Sequence, residues 1–211
     1  MEIVSHRGYW KSSNEKNEIV SFKRSFSLGF GTETDIRDYK GELVISHDIP
    51  SGNELTVEDF FEIYKASNCT GTLALNIKSD GLQKKLLSKL NKYEINNYVV
   101  FDMSIPDTLG YISSGLKVLS RFSEYEPENP LWNKSDGIWL DSFEGHGINL
   151  DIMSKILNRG KKVFVVSPEL HAREYLSLWA ELKRYLCKCE LSEKVVLCTD
   201  IPEEARLYFN G

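Results

Sequence analysis

A repeated alternation limits the fold of this chain more than any single motif. Eight short strand-like runs occur, each followed by a stretch of helical spacing or a substitute for one. They fall at residues 2–6, 32–37, 73–78, 98–102, 117–121, 137–141, 162–167 and 194–199. "KKVFVVS" and "KVVLCT" are apolar on both faces, as expected where helices cover a parallel sheet. Between the runs, Ile19, Phe22 and Phe26 predict a helix over 17–28. Thr56 followed by acids predicts an N-capped helix over 56–67. Amphipathic stretches follow at 81–94, 149–160 and 172–186, with less regular ones at 105–115 and 201–209. Residues 124–136, "EYEPENPLWNKSD", read as a long loop or a degenerate helix.

Eight strand–helix units are the count of a closed barrel. With 211 residues, 41% of them hydrophobic, and no shift of composition along the chain, there is material for one sizeable core. An open doubly wound sheet competes, but its glycine-rich phosphate turn is missing after the first strand, where "SHRGYW" stands. The expectation is an α/β fold: a single-domain (β/α)8 TIM barrel over residues 1–211, with a short β-hairpin extension after the second strand.

The net charge of −5 argues against a nucleic-acid partner, which needs a basic face. No stretch approaches the ~20 apolar residues of a membrane span. Cys69, Cys187, Cys189 and Cys198 show neither a disulfide framework nor zinc spacing, and the pair in "LCKCE" reads as neighbouring faces of one helix. These features lead us to expect a cytoplasmic protein.

In such barrels function sits at the C-terminal ends of the strands. Glu33 and Asp35 lie two apart in a strand and therefore point to one face. Asn76 and Lys78 have the same spacing, and His6-Arg7 ends the first strand. Two inward carboxylates repel, and burying them costs several kcal/mol unless a cation intervenes. One hard divalent ion, Mg²⁺ or Ca²⁺, suits oxygen ligands; an internal salt bridge to Arg37, Lys78 or Arg121 is the alternative. "RDYKGE" is a hairpin turn. A three-residue loop, Tyr39-Lys40-Gly41, would pair Glu33 with His47 and bring His47 to the acids. A two-residue loop at Lys40-Gly41 would turn His47 to the opposite face. The glycine position favours the first. His6 and His47 then suit general acid and base work, because imidazole titrates near neutrality.

His6-Arg7-Gly8, the helix start at Asn17 with Phe22 in its first turns, Glu33-x-Asp35 and His47-Asp48 recur in the order and spacing of a known family. The chain resembles the glycerophosphodiester phosphodiesterases and the wider phosphatidylinositol-phospholipase-C-like barrels. Asn76-x-Lys78 stands where that family has Glu-x-Lys, and Thr199-Asp200-Ile201-Pro202 is similar to its closing Thr-Asp-x-Pro. The resemblance implies an acid–base pair of His6 and His47, metal ligands Glu33 and Asp35, and phosphate contacts from Arg7 and Lys78. It also implies a reaction in which a neighbouring substrate hydroxyl attacks phosphorus and leaves a cyclic phosphodiester that water opens.

The chain departs from the family at Asn76, an amide where the family has a third acidic ligand; its oxygen can coordinate, with one negative charge fewer. Lys16 precedes Asn17 where the family has Glu, and Val166-Ser167-Pro168-Glu169 replaces a Trp-Thr stretch. Arg121 and Glu124 in "SRFSEYE", with Glu169 in "SPELH", suggest a pocket for a hydroxyl-rich substrate group; ordinary loop capping is the alternative. The expected partner is a small-molecule phosphodiester. A catalytically silent barrel binding a phosphorylated or glycosyl ligand, for instance in surface-polysaccharide biosynthesis, is the second reading.

Overall fold

Each expected apolar run forms a strand, and among the described residues six α-helices lie between strands and a seventh follows the last one. The computed structural model describes residues 1–145, 147, 149–188 and 190–210. In chain order the elements are β1 (Glu2–His6), α1 (Ile19–Ser27), β2 (Gly31–Tyr39), β3 (Glu42–Ile45), α2 (Val57–Ala66), β4 (Leu73–Ile77), α3 (Gln83–Lys92), β5 (Tyr98–Phe101) and α4 (Ile105–Ser113). Then come β6 (Leu119–Phe122), β7 (Gly137–Leu140), α5 (Leu150–Asn158), β8 (Lys162–Val166), α6 (Leu176–Leu186), β9 (Val195–Thr199) and α7 (Pro202–Asn210). The strand order β5-β4-β2-β1-β9-β8-β7-β6, with β3 hairpinned onto β2, is that of a nearly closed (β/α)8 barrel. Where a helix would join β6 to β7 there is only a 3₁₀ turn, Pro130–Asn133, in the stretch read as a degenerate helix.

The chain gathers into two compact units, Val4–Val118 and Met1–Ile3 with Leu119–Gly211. In the first, Thr56 caps α2 by accepting from the Asp59 N–H, as its position before two acids predicts. The outward residues of the strands, Ile36, Leu73, Leu75, Ile77 and Val100, pack with Phe22, Phe26, Phe60 and Phe61 of α1 and α2 in one apolar cluster. The layer between strands and helices is thus filled with carbon, so the opposite face of β2 and β4 is free to carry polar side chains. In the second unit β7, β8 and β9 are almost wholly buried, with Trp139 stacked on Phe164 at 6.1 Å.

The hairpin corrects an expectation. Ile36 pairs with Ile45 and Tyr39 with Glu42, so the turn is the two-residue one, Lys40-Gly41, with φ of 47° and 91°. Positive φ at both positions is what a tight type I′ turn requires. The reason is burial. This register sends both Leu43 and Ile45 into the apolar cluster beside Ile36. A three-residue turn would have sent only Val44 there and set Leu43 and Ile45 on the face of Asp35 and Arg37.

The helix expected to carry both Cys187 and Cys189 ends at Leu186; Cys187 follows it, exposed, and Cys189 lies outside the described residues. Among the described residues no helix is long and apolar enough to cross a membrane.

Candidate active site at the strand ends of the Val4–Val118 unit

The parallel register brings the candidate residues side by side. His6 pairs with Glu33 across β1 and β2, and Asp35 pairs with Asn76 across β2 and β4. Glu33, Asp35 and Asn76 are all buried. Alternation along β2 does what the spacing predicts: Glu33 and Asp35 share a face, while Ile36 joins the apolar cluster behind.

Asp35 is the most heavily partnered group. Its Oδ2 lies 3.0 Å from Arg7 Nε and accepts from Asn17 Nδ2 at 2.9 Å, and its Oδ1 lies 3.6 Å from Lys78 Nζ. Lys78 is shared with Asp102, at 3.1 Å. Of the three salt-bridge partners weighed from the sequence, Lys78 is therefore found on an acid; Arg37 instead donates to the His47 carbonyl, and Arg121 is bonded to Glu126. Arg7 was not among them.

Glu33 has weaker company. His6 Nε2 stands 3.9 Å from its Oε2, and Asn76 Nδ2 donates to its Oε1 at 3.2 Å. Burial pushes the Glu33 carboxyl up to about 7, helped by the charge of Asp35 and opposed by His6, Arg7 and Lys78.

Among the described residues no hydrogen-bond donor serves three buried oxygens at the centre, Glu33 Oε2, Asp35 Oδ1 and Asn76 Oδ1. Buried acceptors are normally satisfied. Three orphan oxygens from adjacent strand positions are the donor set a hard divalent cation takes. Among the described residues no three His, Cys, Asp or Glu side chains gather in ligand fashion, so an ion here would need the Asn76 amide oxygen as its third protein ligand.

Arg7 and Gly8 turn the chain sharply at the end of β1, with φ of 56° and 79°. A Cβ at Gly8 would stand 2.3 Å from Ser21 Oγ, so only glycine fits beside α1. Asn17, at φ 62°, donates its N–H to the Arg7 carbonyl, and its side chain bridges Asp35 and Thr34. Sequence reasoning placed Asn17 at a helix start; the helix begins at Ile19, and Asn17 is instead a strut for Arg7 and Asp35. Its place in the ordered motif was the available signal. Asp102, read only as a strand end, was likewise missed as the partner of Lys78.

His47 is not brought to the acids. β3 ends at Ile45, and the His47 side chain, 47% exposed, pairs with Asp48 at 2.9 Å. The expected facing of Glu33 and His47 fails with the three-residue turn.

Arg121, Glu124 and Glu169 belong to the Leu119–Gly211 unit. Arg121 is bonded to Glu126 and lies 5.8 Å from the Phe143 ring. Glu124 accepts from Ser142 Oγ and from the N–H groups of Phe143 and Glu144. Desolvation raises its carboxyl, but these hydrogen bonds outweigh that and hold it at about 2. Glu169 accepts from the Ser167 and Thr199 hydroxyls and the Asp200 N–H; burial still raises its carboxyl. Glu124 and Glu169 thus tie loops together within their own unit. This unit also holds a cavity of about 450 Å³ lined by Asp141, His171, Arg173 and Glu174 among others, with His171 Nε2 2.8 Å from Asp141 Oδ1.

The sequence matches no family model and no curated protein. Solved structures share its fold. Glycerophosphodiester phosphodiesterase from Agrobacterium tumefaciens is similar over 100% of both chains, with a TM-score of 0.75 and 14% identity. An Oleispira antarctica phosphodiesterase, solved with its product sn-glycerol-3-phosphate, covers 100% of this chain and 97% of its own, with a TM-score of 0.69 and 15% identity. Phosphoribosyl anthranilate isomerase from Thermus thermophilus covers 100% and 97%, with a TM-score of 0.55 and 12% identity. The likeness therefore establishes the barrel, in a form shared with glycerophosphodiester phosphodiesterases, and the chemistry has to be argued from the side chains.

Proposed function

We propose that this chain is a divalent-ion-dependent phosphodiesterase hydrolysing a small hydroxyl-bearing phosphodiester of the glycerophosphodiester kind. One observation carries the reading: the orphaned oxygens of Glu33, Asp35 and Asn76, buried together at the strand ends. The fold shared with two phosphodiesterases, one of them solved with sn-glycerol-3-phosphate, supports the substrate class. Glu33, Asp35 and Asn76 would hold Mg²⁺ or Ca²⁺, which supplies Lewis-acid stabilisation of charge on the phosphoryl oxygens.

The chain's own groups do the rest. Arg7 and Lys78, 20% and 19% exposed, reach the phosphoryl oxygens from either side of Asp35. His6, beside Glu33, takes the proton of the attacking substrate hydroxyl. That oxygen bonds to phosphorus, the ester bond to the departing alcohol breaks, and His47 gives the alcohol its proton. His47 has to turn away from Asp48 to do so. The cyclic phosphodiester left behind is then opened by water.

A second reading, a catalytically silent barrel that binds a phosphorylated or glycosyl ligand, is favoured by the ion pairs that Arg7 and Lys78 already make with Asp35. One assay separates the two. The EDTA-treated protein is given Mg²⁺ or Ca²⁺ and a panel of glycerophosphodiesters. We expect turnover only with ion, reduced about 10²–10⁴-fold in His6→Ala with unchanged circular dichroism. Undiminished turnover in EDTA or in His6→Ala ends the phosphodiesterase reading. A ligand-induced rise in Tm without turnover favours the silent binder.

A further inference from the structure

We infer that Arg7 and Lys78 stand in for the ion at Asp35 and exchange that carboxylate for phosphoryl oxygens when the ion binds, so that divalent cation and phosphate bind cooperatively. The inference rests on the phosphodiesterase reading and adds to it a coupling between the two ligands.

Both cations end on one carboxylate. Arg7 Nε lies 3.0 Å from Asp35 Oδ2, and Lys78 Nζ lies 3.6 Å from Oδ1. Oδ1 is also one of the three orphaned oxygens, so an incoming ion and the Lys78 ammonium compete for the same lone pairs. Against the two cations Arg7 and Lys78 stand three carboxylates, Glu33, Asp35 and Asp102, a difference of one charge. A divalent ion added to this largely buried set leaves it net positive, which is unfavourable where water is scarce. A phosphate removes the imbalance. Conversely, a phosphate arriving first meets two cations already paired. Each ligand thus improves the site for the other, and linkage makes the factor the same in both directions.

Lys78 has somewhere to go, because Asp102 Oδ2 already lies 3.1 Å from Nζ. Asn76 sharpens the dependence, since an amide contributes an oxygen but no charge to offset the ion.

The test is Mn²⁺ binding to the full chain, followed by electron paramagnetic resonance of free Mn²⁺, without and with inorganic phosphate below its precipitation limit. Association of Mn²⁺ with phosphate in buffer is subtracted. We expect phosphate to tighten Mn²⁺ about tenfold, a coupling of ordinary size, and Mn²⁺ to tighten phosphate by the same factor. Lys78→Met should bind Mn²⁺ more tightly than wild type without phosphate and lose most of the coupling. Asp102→Asn, which leaves Lys78 to Asp35 alone, should bind Mn²⁺ more weakly, and it carries the test if Lys78→Met does not fold. Mn²⁺ binding indifferent to phosphate, or weakened in Lys78→Met, overturns the exchange while leaving the phosphodiesterase reading standing. No Mn²⁺ binding under either condition overturns both.

Discussion

Replacing Glu33 by Gln tests the electrostatics of the site without recourse to activity. Glu33 is 1% exposed, and its carboxyl is pushed from 4.5 up to about 7 by burial and by Asp35, against the pull of His6, Arg7 and Lys78. A carboxyl raised on folding binds more protons in the folded than in the unfolded state, so stability falls as pH rises. The cost of ionising it is absent below the unfolded value of 4.5, grows through the interval, and is complete above about 7. The difference of roughly 2.5 pH units corresponds to about 3 kcal/mol. Gln cannot ionise, and its amide oxygen can still accept from Asn76 Nδ2, now 3.2 Å from Glu33 Oε1. Urea unfolding of both proteins in EDTA between pH 4.5 and pH 8 gives the comparison, with other titrations largely cancelling. The advantage of Glu33→Gln over wild type should grow by about 3 kcal/mol across that range. A difference that stays flat, or that grows in favour of wild type, would refute the reasoning and mean that the cations satisfy Glu33 more fully than its distances suggest. Saturating Mg²⁺ should abolish the difference or reverse it, because an ion bound to the ionised carboxylate stabilises that form in the folded state only.

Asn76→Asp should tighten divalent-ion binding by about tenfold in calorimetry at neutral pH, since it adds a charge where the amide oxygen now stands; unchanged affinity would put residue 76 outside the ion's ligands. Gly8→Ala should cost about 1–3 kcal/mol in urea unfolding, because φ is 79° and the new methyl would meet Ser21. Thr56→Ala should cost about 1 kcal/mol through the lost cap on Asp59, with the site unaffected. His47→Ala should lower kcat and leave the Mn²⁺ affinity of the site intact, because the imidazole is paired with Asp48 and is not one of the ion's ligands; full activity would remove His47 from the mechanism.

Which strand-end residues came together could be read in advance for some positions and not for others. Glu33 and Asp35 were bound to share a face because a strand alternates, and the register set Asn76 beside Asp35 on the neighbouring strand. Of the groups that take Asp35, Lys78 was among the partners the sequence offered, whereas Arg7 and the Asn17 amide were not, because contacts across such separations follow from the packed arrangement alone. Arg121, Glu124 and Glu169 read as a binding set by their chemistry, yet Glu124 and Glu169 are held by loop N–H groups and hydroxyls that their own sequence neighbourhoods did not single out.

The sequence alone settled the alternation of eight strands with helices, the cap at Thr56 and the common face of the two acids, because periodicity and capping are local and survive any tertiary arrangement. The tertiary structure decided the hairpin. Gly41 in "YKGE" is compatible with either loop, and the two-residue turn prevailed because it buries Leu43 and Ile45 together. That choice, made by burying apolar surface away from the site, is also what undoes the expected facing of His47 with Glu33, since a shift of one residue in a strand exchanges its faces.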